Sequence, residues 1–320
     1  MKLSLEMIRA ITFGTVEISL ETDGIHFYKC TRKQIAAWTT LAPFLGERAE
    51  TTTGIRLDFH TDTKRFAFRT GQGNKFEIYV NGLPAGRFEM DKLRTEGKAA
   101  EIFLDNSTEM NRITVYFPSH DNGVLTDVEL DDGAKILPHI FSRRILFLGD
   151  SITQGWDSFY DSLSYAYRTA RFFEADSLIQ GVGGGYFHAS TLDRLPYDPD
   201  TIIVAYGTND FFGGYFTSTE ELHRHTKEFL DGVSTLYGKK KVYLITPIWR
   251  AGEERLQPLG HFSDYRNLLW REAEQRGFLP IDGTALVPHD SAFFADKTLH
   301  PNDLGFGIYA ENLTRAMLKK

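Results

Sequence analysis

A serine, a histidine, an asparagine and a run of glycines stand in four short segments of this 320-residue chain. The first is Gly149-Asp150-Ser151-Ile152-Thr153-Gln154-Gly155, and the second is Gly181-Val182-Gly183-Gly184-Gly185. The third is Gly207-Thr208-Asn209-Asp210, and the fourth is Leu299-His300-Pro301-Asn302-Asp303. Together they are the parts of an acyl-transfer site. A serine hydroxyl is a poor nucleophile until a base takes its proton, and His300 is such a base. The tetrahedral intermediate carries an oxyanion that needs preorganised donors. The Ser151 backbone N–H, a backbone N–H of the glycine loop and the Asn209 amide provide three, each typically worth ~3 kcal/mol. Ser151 and His300 are far apart in sequence, so only a folded sheet can join them.

The elements that must position these residues are legible around them. Ile145-Leu146-Phe147-Leu148 is a continuous apolar run, as expected of a parallel strand buried on both faces. Ser177-Leu178-Ile179, Thr201-Ile202-Ile203-Val204-Ala205 and Val242-Tyr243-Leu244-Ile245 repeat the pattern, and Phe278-Leu279-Pro280-Ile281 is a shorter instance broken by proline. Helical stretches near 160–174, 218–236, 262–276 and 303–318 fall between and after them. Alternating strands and helices predict a doubly wound parallel sheet, with reactive residues at the carboxyl ends of its strands.

The first 138 residues read differently. Ile55-Arg56-Leu57-Asp58-Phe59 and Arg65-Phe66-Ala67-Phe68-Arg69 alternate apolar and polar. Phe76-Glu77-Ile78-Tyr79-Val80 runs into Asn81-Gly82, a strong hairpin signal because both turn positions want φ > 0. With almost no helical periodicity, this half predicts a β-sandwich of jelly-roll type. Asp131-Asp132-Gly133 and Pro138 mark the boundary, giving domains at 1–138 and 139–320.

Composition narrows the partners. The formal charge is −7, and neither half of the chain carries net positive charge, so no face suits a nucleic-acid backbone. No apolar run approaches the ~18 residues of a membrane span. Charges interrupt Met1-Lys2-Leu3-Ser4-Leu5-Glu6 before a signal-peptide core forms, and Cys30 is a lone cysteine. A cytoplasmic protein without disulfides is the expectation. No metal-ligand cluster stands out, so no cofactor is expected.

In these four blocks the chain resembles the SGNH subgroup of the GDSL esterases and lipases. Gly149-Asp150-Ser151-Ile152 matches the family's nucleophile block, Gly207-Thr208-Asn209-Asp210 its asparagine block and His300-Pro301-Asn302 its histidine block. The resemblance covers about residues 143–318 and implies a flavodoxin-like three-layer domain. Aligning the glycine loop on the family pattern makes Gly184 the oxyanion donor, with Gly183 second, beside Ser151 and Asn209. The family's acid usually stands three residues before the histidine, but Lys297 occupies that place and Asp296 lies four before. Either a bulge brings Asp296 to His300, or the site is a Ser–His dyad. The first domain is similar to the amino-terminal jelly roll of the family-two carbohydrate esterases, several of which use such a dyad. The resemblance implies a serine esterase removing a short acyl group, acetyl above all, from a carbohydrate or glycoside. An acyltransferase using the same residues, and a carbohydrate-binding protein with an inert second domain, are the alternatives.

Other residues have bland readings beside functional ones. Ser151 alone would pass for a helix N-cap. Asp150, Gly183, Trp156, His188 and Trp249 lie near the strand ends as candidate substrate contacts, and an indole can stack on a sugar ring. Each of the two tryptophans serves equally well as packing. His223 and His225, two apart on a helix, face different ways and suit a solvated face better than a metal. His289-Asp290 offers a rival base and acid.

Overall fold

A computed structural model describes residues 1–105 and 109–320. The chain divides into two compact units, Met1–Cys30 with Glu50–Ser142, and Thr31–Ala49 with Arg143–Lys320.

The first unit is built from two antiparallel sheets. One runs Thr12–Phe13, Arg56–Thr61, Asn111–Tyr116, Lys75–Val80, Leu83–Glu89, with Ile136–Pro138 also paired to Arg56–Thr61. The other runs Glu17–Glu21, Gly24–Tyr28, Val124–Leu130, Arg65–Gln72, Ala100–Phe103. Alternate side chains of both sheets, among them Leu57, Phe59, Phe66, Phe68, Phe76, Ile113 and Val128, share one buried core. Phe76 lies 5.3 Å from Phe68 and 5.1 Å from Phe117, ring centre to ring centre. Truncating a ring this buried to alanine typically costs about 3–5 kcal/mol. The expected hairpin forms at Asn81 (φ 51°) and Gly82 (φ 80°), between paired Val80 and Leu83. This is the β-sandwich that the alternation predicts.

The second unit holds a five-stranded parallel sheet ordered Ala175–Gly181, Arg143–Gly149, Thr201–Ala205, Lys241–Ile245, Leu279–Ile281. This is the 2-1-3-4-5 order of a flavodoxin-like sheet. The apolar runs are its strands because both faces are covered: Leu146, Phe147, Ile202, Ile203, Val204 and Leu244 are fully buried. Pro280 sits in the edge strand, where its missing N–H breaks no ladder. Register aligns Gly149 with Gly181 on one side and Ala205 on the other, so three strands end level at the switch point. Helices Tyr165–Phe172, Thr219–Tyr237, Phe262–Gln275 and Asp303–Leu318 complete the alternation. Among the described residues no helix is long and apolar enough to cross a membrane.

The expectation of scarcely any helix before residue 138 fails at the short helices Leu5–Ile11 and Met90–Thr95 and, more informatively, at a third place. Residues 32–50 form the helices Arg32–Leu41 and Pro43–Glu50, and Thr31–Ala49 group with the second unit. The local cause is a capping box, in which Thr31 accepts from the Gln34 N–H while the Gln34 side chain accepts from the Thr31 N–H.

Candidate active site

Gly149 ends the central strand, and Asp150 turns the chain into a single helical turn, Ser151–Gln154, closed by Gly155 at φ 89°. The helix cap is Asp150 and not Ser151: its carboxylate accepts the Ile152 N–H at 2.9 Å. Ser151 is therefore the first helical residue, with its hydroxyl turned to other work. The turn presses against the neighbouring strand so closely that a Cβ on Gly181 would collide with the backbone of Thr153 and Gln154. Ser151 is 6% exposed, and its Oγ lies 2.9 Å from Nε2 of His300.

On the other side of the ring, Nδ1 of His300 lies 2.9 Å from Oδ2 of Asp296. The extra residue between acid and histidine is absorbed by Lys297, which adopts a left-handed φ of 64°. Oδ1 of Asp296 then accepts N–H groups from Thr298 (2.8 Å), Leu299 (2.8 Å) and His300 (3.1 Å). Burial works to raise the pKa of Asp296, but these three donors and the His300 charge outweigh it and hold it below the usual carboxylate range. The bulged arrangement allowed for Asp296 is thus the one present, and serine, histidine and carboxylate form one hydrogen-bonded line. A second carboxylate, Asp157, places an oxygen 3.5 Å from the same Nδ1. Sequence reading missed it; its φ of 67°, rare outside glycine, marks a turn that nothing in the local sequence announces.

Asp157, Asp296 and His300 hold their potential ligand atoms within 4.8 Å of one another, as do Glu21, Asp23 and His26 in the first unit. In the former group Oδ2 of Asp296 is within hydrogen-bond distance of Nδ1, and Oδ1 is engaged by three backbone donors. Those features suit an oriented imidazole better than a cation.

The glycine loop leaves its strand with nearly every polar group engaged. Val182 N–H donates to Gly149, Gly183 N–H to Oε1 of Gln154 at 2.7 Å, and Gly185 N–H to Val182. The Gly183 carbonyl accepts from Arg48 at 2.9 Å, the Gly184 carbonyl from the Tyr215 hydroxyl at 3.1 Å and the Gly185 carbonyl from the Asn209 amide at 3.0 Å. Among the described residues, the N–H groups of Gly184 and Ser151 have no acceptor. An amide offers two N–H donors, so Asn209 keeps one beyond its bond to Gly185. Gly184 has φ 81°, and a Cβ there would stand 3.0 Å from the Phe44 ring. This position needs glycine on both grounds.

The candidate substrate contacts divide. Trp156 lies beside the site, its ring centre 6.3 Å from that of His300. Asp150 is 2% exposed and serves as a cap, and Gly183 has both polar backbone groups occupied, so neither offers a substrate contact. His188 bonds Ser190 and packs 5.1 Å from His225. His225 also meets Phe216 at 5.1 Å, so it is packed and not simply solvated. Trp249 stacks on His289 at 5.7 Å and meets Phe294 at 5.2 Å. His289 additionally faces the Thr284 carbonyl, while Asp290 caps Ala292, which removes this pair as rivals for catalysis.

Solved structures share this architecture. The salicylyl-acyltransferase SsfX3 of a tetracycline biosynthetic pathway matches with a TM-score of 0.78 at 18% identity, covering 96% of this chain and 94% of its own. A family two carbohydrate esterase from Cellvibrio japonicus gives 0.67 at 15%, covering 97% and 95%. The acetyl xylan esterase Est2A of the rumen bacterium Butyrivibrio proteoclasticus gives 0.59 at 14%, covering 83% and 90%. The carbohydrate esterases are SGNH hydrolases preceded by a β domain, as the sequence blocks led us to expect. No curated protein matches the sequence. Residues 147–308 match the model of the GDSL-like lipase/acylhydrolase family, and the chain belongs to that family.

Proposed function

We propose that this protein is a serine esterase that removes a short acyl group, acetyl above all, from a carbohydrate or glycoside. The observation that carries the reading is the unbroken line Ser151–His300–Asp296 beside two N–H groups without acceptors. In the first half-reaction Oγ of Ser151 bonds to the ester carbonyl carbon as its proton passes to Nε2 of His300. The N–H groups of Ser151 and Gly184 and the Asn209 amide hold the oxyanion. The carbon–oxygen bond to the alcohol then breaks, and His300 returns the proton to the leaving oxygen. Water, deprotonated by the same imidazole, attacks the acyl-enzyme and frees the acid. Asp296 keeps the proton on Nδ1 and stabilises the imidazolium.

Acetate release from acetylated sugars and short nitrophenyl esters, compared between wild type and Ser151→Ala, tests this. Wild-type release falling at least a hundredfold in the variant supports the reading; equal release by both removes it. The likeness in fold to an acyltransferase favours one alternative, in which an alcohol other than water takes the acyl group. New esters formed on adding a sugar acceptor would identify it.

A further inference from the structure

We propose that Arg48, on the helix Pro43–Glu50, is a positioning residue that sharpens the oxyanion donor of Gly184; the inference rests on the esterase reading above. Nη1 of Arg48 donates to the Gly183 carbonyl at 2.9 Å. That carbonyl and the Gly184 N–H are the two ends of one planar peptide group. A charge-assisted hydrogen bond at the oxygen draws electron density from the nitrogen, so the N–H becomes a stronger donor. The same bond fixes the plane of the peptide, so the N–H direction is set before substrate arrives.

The surroundings hold Arg48 to this task. Its guanidinium carbon lies 4.9 Å from the Phe44 ring centre and 4.8 Å from that of Trp156. Gln154 and Tyr215 fix the peptides on either side, at the Gly183 N–H and the Gly184 carbonyl. Arg48 and Phe44 belong to 31–49, the segment that groups with the second unit although it interrupts the β-sandwich sequence. Its presence there gains a reason: it brings a fixed positive charge to the back of the oxyanion hole.

Arg48→Met keeps the aliphatic stem and removes charge and donors. On nitrophenyl acetate its kcat should fall about 10- to 50-fold with KM within about threefold, less than the 10²–10³ lost when a donor is deleted outright. Arg48→Lys, with charge but no planar fork, should recover part of kcat, and it carries the comparison if the methionine variant does not fold. In resting, 15N-glycine-labelled protein, the Gly184 amide proton should shift upfield in Arg48→Met. It should move far less in Tyr215→Phe, which loosens the following peptide and leaves the Gly183 carbonyl bonded. An unmoved Gly184 resonance, or KM rising with kcat intact, would overturn the proposal, the latter by making Arg48 a substrate contact. The resonance is read without turnover, so it reports on Arg48 even if wild type cleaves no ester, a result that would sink the esterase reading alone.

Discussion

Replacing Asp296 by alanine is expected to slow ester cleavage about 60- to 130-fold, far less than losing the orienting acid of a buried triad, which costs ~10⁴. The difference comes from Asp157. The two carboxylates stand 2.9 and 3.5 Å from Nδ1 of His300, with side chains 31% and 35% exposed. At such half-exposed sites solvent screens strongly, and an effective dielectric of about 40 gives attractions to an imidazolium of about 3 and 2.4 kcal/mol. Removing Asp296 forfeits the first and leaves the second. Asp157 needs to approach by only a fraction of an ångström to recover the difference. The net loss is then about 2.4–2.9 kcal/mol, which corresponds to the stated range. Removing both carboxylates should bring the full ~10³–10⁴-fold loss. Asp296→Asn should be worse than Asp296→Ala, because its amide would donate to Nδ1 and drive the ring proton onto Nε2, where the Ser151 proton must go. The assay is kcat/KM on nitrophenyl acetate for Asp296→Ala, Asp296→Asn, Asp157→Ala and the double alanine variant. If Asp296→Ala alone is as slow as the double variant, Asp157 contributes nothing; if it matches wild type, the site works as a dyad and the electrostatic argument fails.

Asn209→Ala should lower kcat about 10²–10³-fold with KM little changed, as for other lost oxyanion donors; a change confined to KM would move Asn209 out of the oxyanion hole. A second expectation concerns pH and stability. Burial pushes Asp210 up to about 8 and Asp150 up to about 7, both far above the ~3.9 of an unfolded chain. Between roughly pH 4 and 8 the folded state therefore binds more protons than the unfolded one, and stability falls as pH rises through that window. In Asp210→Asn the side-chain oxygen can still accept the Phe187 N–H, so Tm should fall less steeply between pH 5 and 8.5 than in wild type. An unchanged slope would show that Asp210 does not take up the proton.

What the sequence disclosed and what it withheld follow from where each residue's position is decided. Ser151, Asn209 and His300 stand at strand or helix ends, so the apolar runs and the helix starts beside them fix their place, and the sheet order then brings them together. Asp296 was open as a reading because its distance from His300 in sequence is irregular; the outcome turned on one backbone torsion, at Lys297, which composition does not encode. The helices 32–50 did leave a signal, the Thr31–Gln34 capping box, but one cap is weak evidence within a stretch otherwise punctuated by strands. Asp157, Tyr215 and Arg48 had no local signal, since the placement of each side chain at the site is tertiary; Gln154 shares the helical turn of Ser151, but nothing in that block marks its amide as the partner of Gly183. These four share a property that the strand-end residues lack. None needs to touch the substrate in the proposed reaction, and each acts on a group to which that reaction assigns a contact: the imidazole in one case, the glycine peptides in the other three. An oxyanion donor built from backbone cannot be tuned by changing its own side chain. The tuning has to come from whatever holds the neighbouring carbonyls, and in this chain those are Arg48 and Tyr215.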